Sequence, residues 1–499
     1  MSSAQSVPTG IQFGSAAGRW VVAATVLGSG MAQLDATVVN VALPAIGRDL
    51  GAQASGLQLV VSAYSVTLAA LILLSGSLGD RVGRKRVFVA GVVWFTVASA
   101  LCAMAPTVEM LVAARALQGV GGALLTPGSL AIIQATFIPA DRGKAIGAWS
   151  ALGGVAAAIG PLLGGYLVQA VSWRAIFLIN VPLGGLVVWL ALRHVPESRD
   201  PSAAGRLDYA GATSATVGLA GATYAMVEGP NRGWTSPVVV VAAVLGTFAI
   251  VAFVVIERRV AHPMLPLDIF SSRQFTSANV VTFVVYTALG GVFFLLVVVL
   301  QNALGYSPIA AGAASLPVTA IMLALSSASG ALAQRIGPRL PLTVGPLLVA
   351  AGMVLMTRIG PGSAYVTTVL PAVIVFGLGL AATVAPVTAA TLAAADERHA
   401  GVASGVNNAV ARTGGLLAVA LLPPIAGLTG DAFLSPTALT AGFHTAMLIS
   451  AGLAAAGGVV AFVSISNDLL TETPTRAPEH QHFSCALAEV PAHERVSRE

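Results

Sequence analysis

Gly76-Ser77-Leu78-Gly79-Asp80-Arg81-Val82-Gly83-Arg84-Lys85-Arg86 stands between two long apolar runs, residues 56–76 and 87–105. Five of these eleven residues are charged and four of the five are basic. Such a turn is stable only in water, at a membrane face. Basic residues mark the cytoplasmic face, so Asp80, Arg81, Arg84, Lys85 and Arg86 orient the chain at this point. A plain basic stop after a membrane helix would not need Gly76, Asp80 and Gly83 at these spacings.

The rest of the chain agrees with a membrane reading. Of 499 residues, 56% are hydrophobic and 9% charged, and the mean hydropathy is +0.86. Soluble domains carry roughly 25% charged residues, so a water-soluble globule is excluded. The net charge of +5 is spread over short loops, which argues against nucleic acid as a partner. The cysteines, Cys102 and Cys485, are far apart, and no disulfide or zinc framework is indicated. Residues 1–19 lack an apolar core of the signal-peptide kind, so the first span is expected to act as an uncleaved anchor. Lysine is confined to Lys85 and Lys144, a usage that fits a GC-rich bacterial genome.

A span needs about 20 apolar residues. Apolar runs at 20–41, 56–76, 87–105, 108–136, 144–168, 174–193, 208–228, 236–256, 276–300, 308–333, 341–358, 365–390, 400–425 and 440–465 predict fourteen spans. An even count places both termini on one side. With the N-terminus inside, 19 Lys and Arg fall in cytoplasmic segments and four, Arg48, Arg174, Arg232 and Arg358, in outer ones. A miscounted span would invert the alternation beyond it and blur this bias. The remaining two, Arg115 and Arg412, lie inside spans.

The loop at 330–339, Gly-Ala-Leu-Ala-Gln-Arg-Ile-Gly-Pro-Arg, keeps step with 76–85: Gly76 with Gly330, Leu78 with Leu332, Arg81 with Arg335, Gly83 with Gly337. A duplicated six-span half accounts for this, and chance likeness of two membrane loops is the alternative. Gln334 replaces Asp80 in the second copy.

Asp35, in Gln33-Leu34-Asp35-Ala36-Thr37-Val38-Val39-Asn40, is the sole carboxylate well inside a span. An acid at that depth costs roughly 2.5–3.5 kcal/mol on the lenient insertion scale, so a function or a partner is expected. Arg115 lies about seven residues from the outer end of span 4 and Asp35 about six from that of span 1. At ~1.5 Å per residue both are roughly 10 Å deep, which predicts that they meet. Loss of water favours a neutral acid and a guanidinium favours a charged one. A proton carrier and a fixed structural salt bridge are both open on these residues. Arg412, in Gly401-Val402-Ala403-Ser404-Gly405-Val406-Asn407-Asn408 and on to Gly414-Gly415, is about twelve residues into span 13; it lines a cavity or clamps carbonyls. No Walker A sequence is present, so direct ATP coupling is not expected. His480, His482, Cys485 and His493 form no spaced metal site and are read as a solvated, disordered tail.

Taken together, residues 20–466 resemble the major facilitator superfamily and, within it, the fourteen-span drug:proton antiporter branch. The 76–86 loop is similar to the superfamily's loop between spans 2 and 3. Leu111 through Gly122, with Arg115 and Gln118, resembles its span 4 motif, whose arginine is linked to proton transfer. Gly160-Pro161-Leu162-Leu163-Gly164-Gly165 resembles the antiporter motif of its exporters, although Ala156 stands where the pattern prefers glycine. The span 1 stretch, Trp173 through Pro182, and Gly205 through Gly211 are similar to the branch.

The resemblance implies an all-α integral membrane protein with two six-helix bundles in pseudo-two-fold relation and two extra central helices. It implies a cytoplasmic segment at 1–19, bundles at 20–193 and 276–466, a linker at 194–275 holding spans 208–228 and 236–256, and a cytoplasmic tail at 467–499. The implied activity is proton-coupled export of small amphiphilic compounds through the bacterial cytoplasmic membrane, by a monomer with no cofactor and no metal. A dedicated exporter of one self-made metabolite is the alternative, and a non-transporting receptor or enzyme on the same scaffold is a further one. Asp35 and Arg115 are the expected proton-coupling residues. Gly76, Asp80, Arg81, Gly83, Arg84 and Arg335 are expected to gate. Gln33, Asn40, Gln118, Phe283, Tyr286, Phe293, Phe294, Asn407 and Arg412 are candidates for the substrate cavity; the four aromatics face lipid or core on the opposing view.

Overall fold

The computed structural model describes residues 10–199, 207–261, 263–395, 400–433 and 435–471. Arg206, Arg398 and the tail residues His480, His482, Cys485 and His493 lie outside them. The long helices are α1 (Ala16–Leu50), α2 (Ala54–Val82), α3 (Arg84–Met104), α4 (Val108–Thr136), α5 (Pro139–Ala170), α6 (Ala175–His194), α7 (Tyr209–Arg232), α8 (Pro237–Arg259), α9 (Arg273–Asn302), α10 (Pro308–Ile336), α11 (Arg339–Met356), α12 (Tyr365–Ala393), α13 (Ala400–Ile425) and α14 (Pro436–Ser464). Among the described residues, twelve helices are long and apolar enough to cross a membrane. Two of the expected spans, α5 and α7, form helices where anticipated but are not among those twelve.

Several helices outrun the apolar stretches that predict them. α1 starts at Ala16 because the Ser15 hydroxyl accepts from Gly18 N at 3.0 Å, and it stops at Gly51, whose φ is +60°. Caps set these ends, whereas hydropathy reads only the lipid-facing length. At about 1.5 Å per residue, 35 residues are longer than a straight crossing of a ~30 Å hydrocarbon core requires. Residues 174–193 are not one uninterrupted helix: α6 is broken at Ile179, between Ala175–Leu178 and Asn180–His194.

Packing repeats between the halves. In the first, α3 lies on α4, α2 on α4, α1 on α5 and α6, and α3 on α6. In the second, α11 lies on α12, α10 on α12, α9 on α13 and α14, and α11 on α14. The correspondence reaches single residues. Gly83 has φ +126°, and a Cβ there would stand 2.7 Å from Glu197 Oε1, just past α6. Gly337 has φ +84°, and a Cβ there would stand 2.7 Å from Asn467 Oδ1, just past α14. Arg84 N donates to Ser198 O at 2.9 Å, and Arg339 Nε donates to Ile465 O at 2.7 Å. Two parallel six-helix bundles, each tied at its 2–3 turn by the segment leaving its last helix, are thus the architecture.

The bundles meet where α2 packs on α13, α5 on α10, and α1 on α9. α7 lies against both α2 and α13, and α8 packs on α7. Val238, Val241, Leu245 and Phe248 of α8 are exposed, as a lipid-facing surface requires.

Candidate functional site

The interior of the first bundle holds one polar cluster. Arg115 Nη1 donates to Asp35 Oδ2 at 2.5 Å, and each residue is 1% exposed. α1 and α4 therefore meet at the depth that the residue count anticipates. Arg115 also donates to Gln118 Oε1 and, through Nε, to Val60 O at 3.3 Å. Its guanidinium lies over the Tyr64 ring, 4.4 Å from the centroid, with Phe177 at 5.7 Å. These aromatic faces supply attraction without competing for the carboxylate.

Asp35 Oδ1 accepts from Gln118 Nε2 at 2.8 Å and from Asn180 Nδ2 at 3.4 Å. Both amides also donate to Ser99 Oγ, at 2.7 and 3.2 Å. Ser99 was not singled out in the sequence, because a serine in an apolar helix carries no pattern; Asn180 entered only within the Trp173–Pro182 stretch and without a role. Asn180 Oδ1 is buried and has no hydrogen-bond donor among the described residues.

Five helices position this cluster. Gly119 and Gly122 on α4 let α2 approach: a Cβ at Gly122 would stand 2.7 Å from Leu68 Cδ1. Gly121 does the same for α3, with Phe95 N at 2.6 Å. Small residues at crossings are how membrane helices reach contact distance.

The expected cavity residues divide. Gln33 is exposed; Asn40, Phe283, Tyr286 and Arg412 are half-buried. Gln118 is fully buried in the Asp35 cluster, so it serves the ion pair and does not line a cavity. Phe294 is 2% exposed and belongs to the hydrophobic core. Phe293 is 46% exposed and stands edge-on to Phe376. Asn407 is turned into the second bundle, where its Nδ2 donates to Thr282 Oγ1 at 2.9 Å and Thr391 Oγ1 at 3.3 Å. For Gln118, Phe294 and Asn407 the cavity assignment is corrected: helical phase points them into a bundle, and composition does not reveal phase.

The Gly160–Gly165 segment is a contact surface. Gly160 abuts Thr37 and Gly164 abuts Val38, both on α1. A Cβ at Gly165 would stand 2.5 Å from Pro308 O, and Gly312 abuts the carbonyl of Pro161. The bundles are thereby closed at the end away from the 76–86 turn. Gln301 Nε2 adds a bond to Val41 O at 2.9 Å at that end. Toward the other end of α5, Gly143, Gly147 and Gly153 have open space where a Cβ would stand.

At the basic turn, Asp80 pairs with Arg84 at 2.9 Å. Lys85 N donates to Glu197 Oε1 at 3.1 Å, and Arg86 lies 3.6 Å from the same carboxylate. Arg335 is exposed. At the opposite end of α1, past the apolar run at 20–41, the Arg174 guanidinium and the Trp173 indole hold the Asp49 carboxyl below its usual range.

Residues 25–419 match the model of the Major Facilitator Superfamily. The chain belongs to that superfamily. It is 38% identical over 458 residues to a puromycin resistance protein of Streptomyces alboniger, covering 89% of this chain and 90% of the relative. It is 36% identical to the multidrug resistance protein Stp of Mycobacterium tuberculosis, covering 83% and 76%, and 35% identical to a methylenomycin A resistance protein of Bacillus subtilis, covering 82% and 87%. Among solved structures, a POT peptide transporter in complex with sulfate superposes with a TM-score of 0.65 at 16% identity, over 92% of this chain and 96% of that one. A bacterial homolog of the lysosomal transporter Spinster, inward-facing and unoccupied, gives 0.64 at 16%, over 92% and 99%. The superfamily's fold and the twelve apolar helices make this a multi-pass membrane protein of transporter type.

Proposed function

We propose that the protein exports small amphiphilic compounds, antibiotics among them, in exchange for protons. The observation that carries this reading is the buried Asp35–Arg115 pair, each partner 1% exposed. A buried acid that gains and loses a proton as water reaches it from alternate sides couples the gradient to bundle movement. Each charge that enters is worth about 2.3 kcal/mol per 100 mV. Arg115 cannot give up its proton, so it releases Asp35 by moving, not by titrating. The resistance and multidrug relatives support an outward direction and a drug-like cargo.

The two bundles, at 20–193 and 276–466, rock about the gap between them. The close α5–α10 contact at one end, against open glycine surfaces toward the other, supports a gap beside α5 on the basic-turn side, where α2 and α13 remain in contact. The distribution of Lys and Arg supports that side being cytoplasmic, with both termini there and α5 and α7 completing fourteen crossings of a bacterial inner membrane. The unit is a monomer and uses no cofactor.

A dedicated exporter of one antibiotic is the second reading. It is favoured by relatives named for single compounds, such as the tetracenomycin C resistance and export protein of Streptomyces glaucescens, 34% identical with 82% of this chain covered. A resistance and uptake screen in a pump-deficient host, with and without a protonophore, tests both. Protonophore-sensitive efflux of several unrelated compounds supports the broad pump, and of one compound the dedicated one. No gradient-dependent efflux of any compound would sink the reading.

A further inference from the structure

Arg412 is the second arginine inside the spans, and among the described residues it has no ion-pair partner. It sits mid-way along α13, half-buried. Its Nε is buried and makes no hydrogen bond among the described residues. The titratable side chains near it are Tyr64 on α2 and Tyr286 on α9, both neutral at ordinary pH, and among the described residues no carboxylate pairs with it. Asp35 is committed to Arg115. Burial disfavours an unpaired cation, so a half-buried guanidinium with one buried, unpartnered donor is suited to a ligand that brings the negative charge.

The surroundings show where such a ligand would meet it. Gly405, about two helical turns before Arg412 on the same face, is packed so closely against α2 that a Cβ would stand 2.6 Å from Leu73 Cδ2. Arg412 therefore faces the seam between the bundles. Asn408, one turn before it, is exposed and spends its amide on Ser404 O of its own helix at 3.1 Å. Gln33 on α1 is exposed, and Asn40 Oδ1 has no partner among the described residues. Exposed amides within spans, on helices that pack inside the molecule, mark a wet gap and not a lipid face. The Tyr64 ring lies under the Arg115 guanidinium, 4.4 Å from its centroid, and its hydroxyl donates to Ala32 O at 3.3 Å. With Asp35 and Arg115 cancelling, the gap carries one net positive charge, and Arg412 supplies it.

We propose that Arg412 is the recognition group of the cavity for an acidic oxygen, a carboxylate or phenolate, on a lipophilic substrate. This rests on the transporter reading above and names the substrate class. A guanidinium binds a carboxylate through two parallel N–H donors, which gives orientation as well as attraction. Phe283 and Tyr286 on the adjoining α9 are placed to receive the apolar body.

The test uses the full chain in nanodiscs and a matched dye set: a xanthene carrying a free carboxylate, its methyl ester, and a xanthene monocation of the same size. Fluorescence anisotropy reads binding, and protonophore-sensitive efflux from cells reads transport. The acid is expected to bind at least about tenfold more tightly than the ester. Arg412→Gln should bring the acid to the ester's affinity while leaving the ester within about twofold, and Arg412→Lys should keep part of the preference. Should Arg412→Gln fail to fold, thermal stabilisation of the unmodified protein by acid against ester decides in its place. No saturable binding of the acid, an equal or better affinity for ester or monocation, or an acid preference that survives Arg412→Gln overturns the proposal. Gradient-driven efflux of the ester without any acid preference faults Arg412 alone. Acid-selective binding without gradient-driven efflux of any dye faults the exporter reading and sustains the site.

Discussion

Removing Asp35 should harm the protein more than removing Arg115, although each is half of one ion pair. The pair is 2.5 Å long and each partner is 1% exposed, so water does not replace a lost partner. In Asp35→Asn the arginine keeps its charge and stays buried; breaking such a pair costs about 3–5 kcal/mol. In Arg115→Gln the remaining acid takes up a proton and keeps its bonds from Gln118 and Asn180. That variant loses only a charged hydrogen bond, about 1.5–3 kcal/mol. The double variant buries no charge, so its cost should be smaller than the two single costs added, with a coupling of about 2–3 kcal/mol. Thermal unfolding in one detergent measures stability. Uptake into everted vesicles under an imposed pH gradient measures coupling, which Asp35→Asn and the double variant should lack. Equal single-variant costs, or full gradient-driven transport by Asp35→Asn, would show the reasoning to be wrong.

Four other perturbations bear on the same scheme. Gly165→Val puts side-chain atoms against Pro308 O, where even a Cβ is at 2.5 Å; it should hold the α5–α10 end apart and raise labelling of cysteines placed there several-fold, and unchanged labelling counts against a closure surface. Asp80→Ala frees Arg84 from its 2.9 Å pair and should alter cysteine accessibility at the basic-turn face in both bundles; no change in either would remove the turn from gating. Asn407→Ala strips donors from Thr282 and Thr391 and should cost about 1–3 kcal/mol of thermal stability while leaving transport protonophore-sensitive, so a loss of coupling would contradict its structural assignment. Matched mono- and dicationic biocides should differ in a resistance assay, with weaker protection against dications, because the embedded charges are Asp35, Arg115 and Arg412; better protection against dications would refute the charge balance.

The bundle architecture was legible in the sequence because its signals are one-dimensional. Hydropathy marks the helices, and the paired Gly83 and Gly337 mark the repeat, since a positive φ demands glycine wherever the chain must turn that way. The Asp35–Arg115 contact was legible from counted depth alone, which a membrane makes meaningful by fixing where every helix crosses. What failed was rotational: depth along a helix is counted, but azimuth is not. Gln118, Phe294 and Asn407 sit at sensible heights and face the wrong way for a cavity. Helix ends failed for another reason, since Ser15 and Gly51 act through hydrogen bonds and backbone angle, to which hydropathy is blind.

The two halves share packing and not charge, and this asymmetry orders the chemistry. At the heart of the first bundle, Asp35, Arg115, Gln118, Ser99 and Asn180 form a charged network. In the second bundle, Asn279, Thr282, Thr391 and Asn407 make a neutral one. A neutral network has every group satisfied at all ordinary pH values and has no reason to change with a proton gradient. The charge of the second half instead lies at the seam, on Arg412. The same division recurs at the 2–3 turns: Asp80 has an arginine partner in the first, and Gln334 occupies the equivalent place in the second. If duplication gave two equal halves, later change left titration to one and a fixed charge at the seam to the other. On the proposed scheme the proton is sensed inside the first bundle while the substrate is held between bundles, and movement of Arg115 relative to Asp35 links the two.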